Sequence, residues 1–128
     1  MLYRDVLGLQ IAFIKDSEPD SYSYPVFEID RTARLRFAVL STATQERVMA
    51  LTEVRGIELP KVPPPRRSAI VLNIDDVDGV VQRATQHGFH VYDEERLETQ
   101  DGRVGREVGI VDHDDNLVVI YTITQQAS

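Results

Sequence analysis

The sequence predicts an α+β fold in which one strand-rich unit occurs twice, and two observations carry that prediction. The segment GREVGIVDHDDNLVVIYT, Gly105 to Thr122, repeats the design of LRFAVLSTATQERVMALT, Leu35 to Thr52. Each reads as an apolar strand, a five-residue polar tip and a second apolar strand, with the tips 71 residues apart. Between them Val77, Val80, Val81 and Ala84 follow the i, i+3, i+4, i+7 spacing of an amphipathic helix. Duplication of this kind often leaves a ligand cleft between the copies.

Taken in order, MLYRDVLG reads as a short helix with Leu2, Val6, Tyr3 and Leu7 on one side and Gly8 as its left-handed stop. A strand is expected from Leu9 to Ile14. Residues 16 to 33 contain Pro19, Tyr22, Tyr24 and Pro25, read as irregular, and form a candidate lid. The first hairpin follows over 35–54. The segment RGIELPKVPPPRR, residues 55–67, carries four prolines, whose fixed φ and missing N–H groups favour an extended connector.

The second half opens with a strand at Ala69–Ile74 and then Asp75 and Asp76 as helix caps. After the helix, which Gly88 ends, a short strand at Phe89–Tyr92 leads into the charged loop DEERLETQDGR and the second hairpin. The order is strand, helix, strand, strand, strand. The first half shows the same order without its opening strand. The expected organisation is one domain made of a first unit at 1–54, a proline-rich linker at 55–67 and a second unit at 68–128.

At 128 residues the chain is long enough to bury a core without staples. A formal charge of -7 opposes contact with phosphate backbones, so nucleic acid is not an expected partner. Zero cysteines exclude disulfides and thiolate metal sites. No apolar run is long enough to span a bilayer, and a cytoplasmic setting is expected.

The tandem βαβββ order, YRDVLGL early, IDDVDGVVQRATQHGF in the middle and the G-R...D-x-D-x-N...I-Y ending together resemble the vicinal oxygen chelate superfamily. That group holds glyoxalases, extradiol dioxygenases, epimerases, fosfomycin-resistance enzymes and bleomycin-resistance binding proteins. The resemblance implies a cupped mixed sheet with helices on its outer face, the first strand of the first module missing from this chain. It also implies a metal ligated by a histidine in the first strand of a module and a glutamate in the last. Aligned on the motifs, those positions fall at Ala69 and Val119 in the second half, and at Val48 or Ala50 in the first. Methyl groups do not ligate divalent cations, so no cofactor is expected, with a divalent metal held by Glu46, Glu107 or His113 as the alternative.

If both tips close symmetrically, Leu40 faces Glu46 and Val111 faces Leu117. Phe37, Val39, Met49 and Leu51, and Val108, Ile110, Val118 and Ile120, then pack under the helices. The other face carries Arg34, Arg36, Ala38, Val48, Ala50 and Thr52, and Glu107, Gly109, Val111, Val119 and Tyr121. This face either lines a cup or meets water. On the first alternative Arg36 and Glu107 share a cavity, with Tyr121, Arg34, Asn73 and Tyr24 as further ligand contacts. Glu107 is the better acid/base candidate, ahead of His113 at the hairpin tip: partial burial would raise the Glu107 pKa, and a nearby Arg36 would lower it.

The Asp112, Asp114, Asn116 tip mimics a calcium loop, but Leu117 and Ile123 stand where glycine and glutamate are required. His87 and His90 flank the helix stop and do not project together. The sequence therefore points to a homodimeric, metal-independent domain that binds a small molecule. A superfamily lyase, isomerase or dioxygenase and a structural module with a filled cup are the alternatives. A first sheet without its opening strand also predicts strand exchange between copies, or a start set too far downstream.

Overall fold

Alternating apolar residues build two separate sheets in the computed structural model, which describes residues 1–127. One compact unit comprises Tyr3–Pro60, and the other comprises Lys61–Ser128 together with Met1–Leu2.

A helical turn with π-type spacing covers Leu2–Val6, all but its first residue in the Tyr3–Pro60 unit, and stops at Gly8, whose φ of 79° suits a residue without Cβ. Leu2, Tyr3, Val6, Leu7 and Leu9 are all buried. Strands β1 (Gln10–Asp16), β2 (Arg34–Ser41) and β3 (Met49–Arg55) form an antiparallel sheet in that order. The segment read as an irregular lid holds a short helix, α1 (Ser23–Val26). Tyr24 pins it: the ring is buried and its hydroxyl donates to the Ala33 carbonyl at 2.7 Å. Tyr24 is thus tied into its own unit.

The second unit contains β4 (Ala69–Asn73), α2 (Val77–Gln86), β5 (His90–Val91), β6 (Glu95–Glu98), β7 (Val104–Val111) and β8 (Leu117–Gln125). Its sheet runs β4-β8-β7-β5, and β6 also pairs with β7. β4 lies parallel to β8 and the other pairings are antiparallel. The helix begins as its sequence directs, with the Asp76 carboxylate accepting the Gly79 N–H at 3.0 Å, and Gly88 past its end has φ 79°. Val77, Val80 and Ala84 are buried where α2 packs on β5 and β8. Val108, Ile110, Val118 and Ile120 form the core side of β7 and β8, each contributing about 1.5–3 kcal/mol of burial.

Two expectations are corrected here. The charged loop after Tyr92 contains a strand, β6, whose Glu95, Arg96 and Glu98 fit an edge position where charge deters further pairing. The first hairpin does not close symmetrically. Leu40 pairs with Met49, three residues beyond Glu46, and the register continues as Ala38 with Leu51 and Arg36 with Glu53.

The cause lies in the tip. Thr42 closes a tight turn, its hydroxyl accepting the Gln45 N–H at 2.9 Å while its own N–H donates to the Gln45 carbonyl at 2.9 Å. The Ser41 hydroxyl then takes the Arg47 N–H, and the ladder resumes only when Val48 N–H reaches the Leu40 carbonyl. An odd displacement exchanges the faces of a strand. Met49 and Leu51 therefore share a side with Arg36, Ala38 and Leu40, whereas Ala50 and Thr52 stand beside Phe37 and Val39.

Candidate functional site

The second hairpin keeps the expected register, Val111 opposite Leu117, Gly109 opposite Val119 and Glu107 opposite Tyr121. The face away from α2 therefore presents Glu107, Gly109, Leu117, Val119 and Tyr121. β6 extends it by setting Glu95 directly opposite Glu107.

A broadly open cavity of about 530 Å³ lies on this face, lined by Pro64, Pro65, Arg66, Tyr92, Asp93, Glu95, Glu107, Val108, Gly109, Leu117 and Val119. Its floor is hydrocarbon from Leu117 and Val119. Three carboxylates, Asp93, Glu95 and Glu107, stand around it, and among the described residues none of them has an ion-pair partner. Tyr92 is placed by its N–H donating to the Gly109 carbonyl at 2.9 Å. Gly109 lets the Tyr92 ring lie close: a Cβ there would be 3.2 Å from it, and the ring would have to give by a few tenths of an ångström. The site can therefore hold an apolar body against its floor and a polar or cationic group at its edge.

Neighbouring groups hold the wall in place. Arg106, one residue before Glu107, points to the other side and binds Asp78 of α2 at 2.5 Å and Glu94 at 2.6 Å. Glu94 is thereby anchored while Asp93 and Glu95 on either side of it line the cavity. The hydrogen bond from Arg106 holds the Asp78 carboxyl below the ordinary carboxylate range, and the bonds to Glu94 and Asp78 raise the Arg106 guanidinium further.

Of the expected contacts, Glu107 lines the cavity. Tyr121 and Asn73, paired across β8 and β4, share its face but lie outside its lining. The Arg36 guanidinium reaches Glu53, its cross-strand neighbour, at 3.0 Å, and Arg55 holds the same carboxylate at 2.6 Å. Arg34 is exposed at the start of β2, opposite Arg55.

Ala69 and Val119 offer methyl groups at the implied ligand positions. The residue that matches Val119 by pairing in the first hairpin is Leu51, opposite Ala38 as Val119 is opposite Gly109, rather than Ala50 or Val48. Among the described residues, no group of three His, Cys, Asp or Glu side chains is arranged to hold a metal ion. The Asp112 carboxylate is occupied by the tip, accepting the N–H groups of Asp114 and Asn116 at 2.9 and 2.8 Å. His113 stacks on Phe89 with ring centres 4.3 Å apart, and His90 meets Tyr92 edge-on.

Sequence reasoning missed Tyr92, Asp93, Glu95 and the Pro64–Arg66 segment. Residues 92–94 lie between β5 and β6, in neither strand, so alternation in YDEER does not place them.

A family model described as Glyoxalase/Bleomycin resistance protein/Dioxygenase superfamily matches residues 2–120. The chain belongs to this superfamily. Solved structures agree on the fold. A glyoxalase family protein from Bacillus cereus superposes with a TM-score of 0.65 at 16% identity, covering 90% of this chain and 78% of its own. A glyoxylase/bleomycin resistance protein/dioxygenase domain from Frankia sp. EAN1pec gives 0.61 at 13%, covering 98% and 84%. The fosfomycin resistance protein FosX from Listeria monocytogenes, in a complex with Mn(II) and sulfate ion, gives 0.52 at 14%, covering 98% and 75%. No curated protein matches the sequence. Among the described residues, no helix is long and apolar enough to cross a membrane.

Proposed function

We propose that this superfamily member binds a small organic molecule in the β7–β8 cavity without using a metal ion. The observation that carries the reading is the cavity's make-up: a hydrocarbon floor at Leu117 and Val119, an aromatic ring at Tyr92 and three carboxylates that have no ion-pair partner among the described residues. A ligand with an apolar or aromatic body and a cationic group matches that surface, the body excluding water from the floor and the cation balancing the carboxylates. Val119 stands where the superfamily resemblance implies a glutamate ligand, and hydrocarbon there favours packing over coordination.

The second reading is a metal-dependent lyase, isomerase or dioxygenase. The Mn(II) complex of FosX and the direct opposition of Glu95 and Glu107 favour it. Metal analysis of protein purified without chelator, followed by titration with zinc, nickel, iron and manganese, separates the two. Stoichiometric binding of one metal abolished by Glu107→Gln would replace the first reading with the second. A thermal-shift screen against small aromatic amines tests the first directly, with a stabilised transition in the parent and a smaller one in Glu107→Gln as the expected result. We also propose a homodimer in a cytoplasmic setting; a sedimentation coefficient of a monomer at micromolar concentration would remove the dimer.

A further inference from the structure

We propose that the Pro64–Arg66 segment is a gate over the β7–β8 cavity and that the Arg66 side chain is its latch. The inference rests on reading that cavity as a ligand site, and it names how access to the site is controlled.

The segment lines the cavity with Pro64, Pro65 and Arg66, yet residues 61 to 69 are exposed throughout. Among the described residues, no turn or loop backbone hydrogen bond involves residues 61–66. Three of these six are prolines, which have no N–H to donate. What ties the segment down is the Arg66 guanidinium. Its Nε donates to the Asp115 carbonyl in the β7–β8 tip at 3.3 Å, and its Nη1 donates to the Tyr92 hydroxyl at 3.1 Å. One side chain therefore joins the segment to both ends of the cavity wall, through two hydrogen bonds to neutral, exposed acceptors.

Such bonds break readily because water replaces them at little cost. The segment bends at Pro64 and Pro65 instead of running extended as the connector was expected to, and it is Arg66 that carries its contacts to the wall. The field of Asp93, Glu95 and Glu107 holds a cation at the cavity mouth, which explains an arginine at this place. A cationic ligand entering the cavity meets the same field and displaces Arg66 from it.

The chain has no cysteine, so a single introduced thiol on the floor reports access. In Val119→Cys, methanethiosulfonate modification is timed with a neutral methyl reagent and with a trimethylammonium-ethyl reagent. Adding Arg66→Ala is expected to speed both reagents roughly three- to tenfold, the gain from removing two solvent-exposed hydrogen bonds. Adding Tyr92→Phe, which removes one latch contact and no charge, is expected to speed both by less. Acceleration confined to the cationic reagent would show a charge effect and overturn the gate, as would unchanged rates in both variants. Leu117→Cys repeats the measurement if Val119→Cys melts early. No ligand enters this test, so its failure leaves the binding reading standing, and a failed ligand screen leaves the gate standing.

Discussion

The two hairpins share one sequence design and fold with different registers. In β7–β8, the Asp112 carboxylate gathers the N–H groups of a five-residue tip, and Val111 meets Leu117 across it. In β2–β3, Thr42 closes its turn within four residues, so Glu46 and Arg47 fall outside the ladder, Val48 rejoins it at the Leu40 carbonyl, and Leu40 pairs with Met49. Strand patterns alone treat the two as equal. A hydroxyl and a carboxylate, choosing different backbone partners at the tips, decide which side chains of the returning strand face which side.

The largest expected contrast is in the core. Ile110 is fully buried beneath α2, and Ile110→Ala should cost about 2–5 kcal/mol in urea unfolding. Leu51, on the corresponding returning strand of the first hairpin, is only half-buried, and Leu51→Ala should cost less than about 2 kcal/mol. Equal losses would mean that the β3 register is not the one described.

The tips come next. Asp112→Ala leaves the Asp114 and Asn116 donors without their acceptor and should cost about 1–3 kcal/mol. Thr42→Ala loses a single neutral hydroxyl acceptor and should cost about 0.5–1.5 kcal/mol. Deleting Glu46, Arg47 and Val48 together gives the first hairpin a tip as short as the second and preserves its register, so stability should move by no more than about 1 kcal/mol.

The smallest effect is electrostatic and belongs to the second hairpin alone. The folded Asp78 carboxyl sits below its unfolded value of about 4, so the Arg106 contact stabilises fully above that value. The contribution disappears as pH falls through the lower folded value. Asp78→Asn should flatten the acid limb of the stability curve slightly, and a limb identical to the parent's would remove Asp78 from the account. The pair is exposed, which keeps the effect small.

Much of this was legible in the residues. The α2 spacing, the Asp76 cap, the Gly88 stop and the core face of β7–β8 followed from local patterns that the tertiary structure leaves alone. β6 was not legible, because ERLE lacks the β-branched residues that mark strands and pairs only since β7 offers an edge. Glu107 could be placed on its face from alternation alone. Gly109 and Val119 followed in the same way, whereas the Pro64–Arg66 wall could not, since Arg66 reaches Tyr92 and Asp115 across 26 and 49 residues of chain.

Periodicity and capping chemistry act over a few residues, and by themselves they determined the superfamily's strands, its long helix and the hydrocarbon at Val119 and Ala69. Which strand faces meet, where Arg36 finds its partner and what closes over Val119 were decided only by tertiary structure. Those outcomes depend on competition among distant donors and acceptors, and a single side-chain hydrogen bond at a hairpin tip is enough to exchange one face for the other.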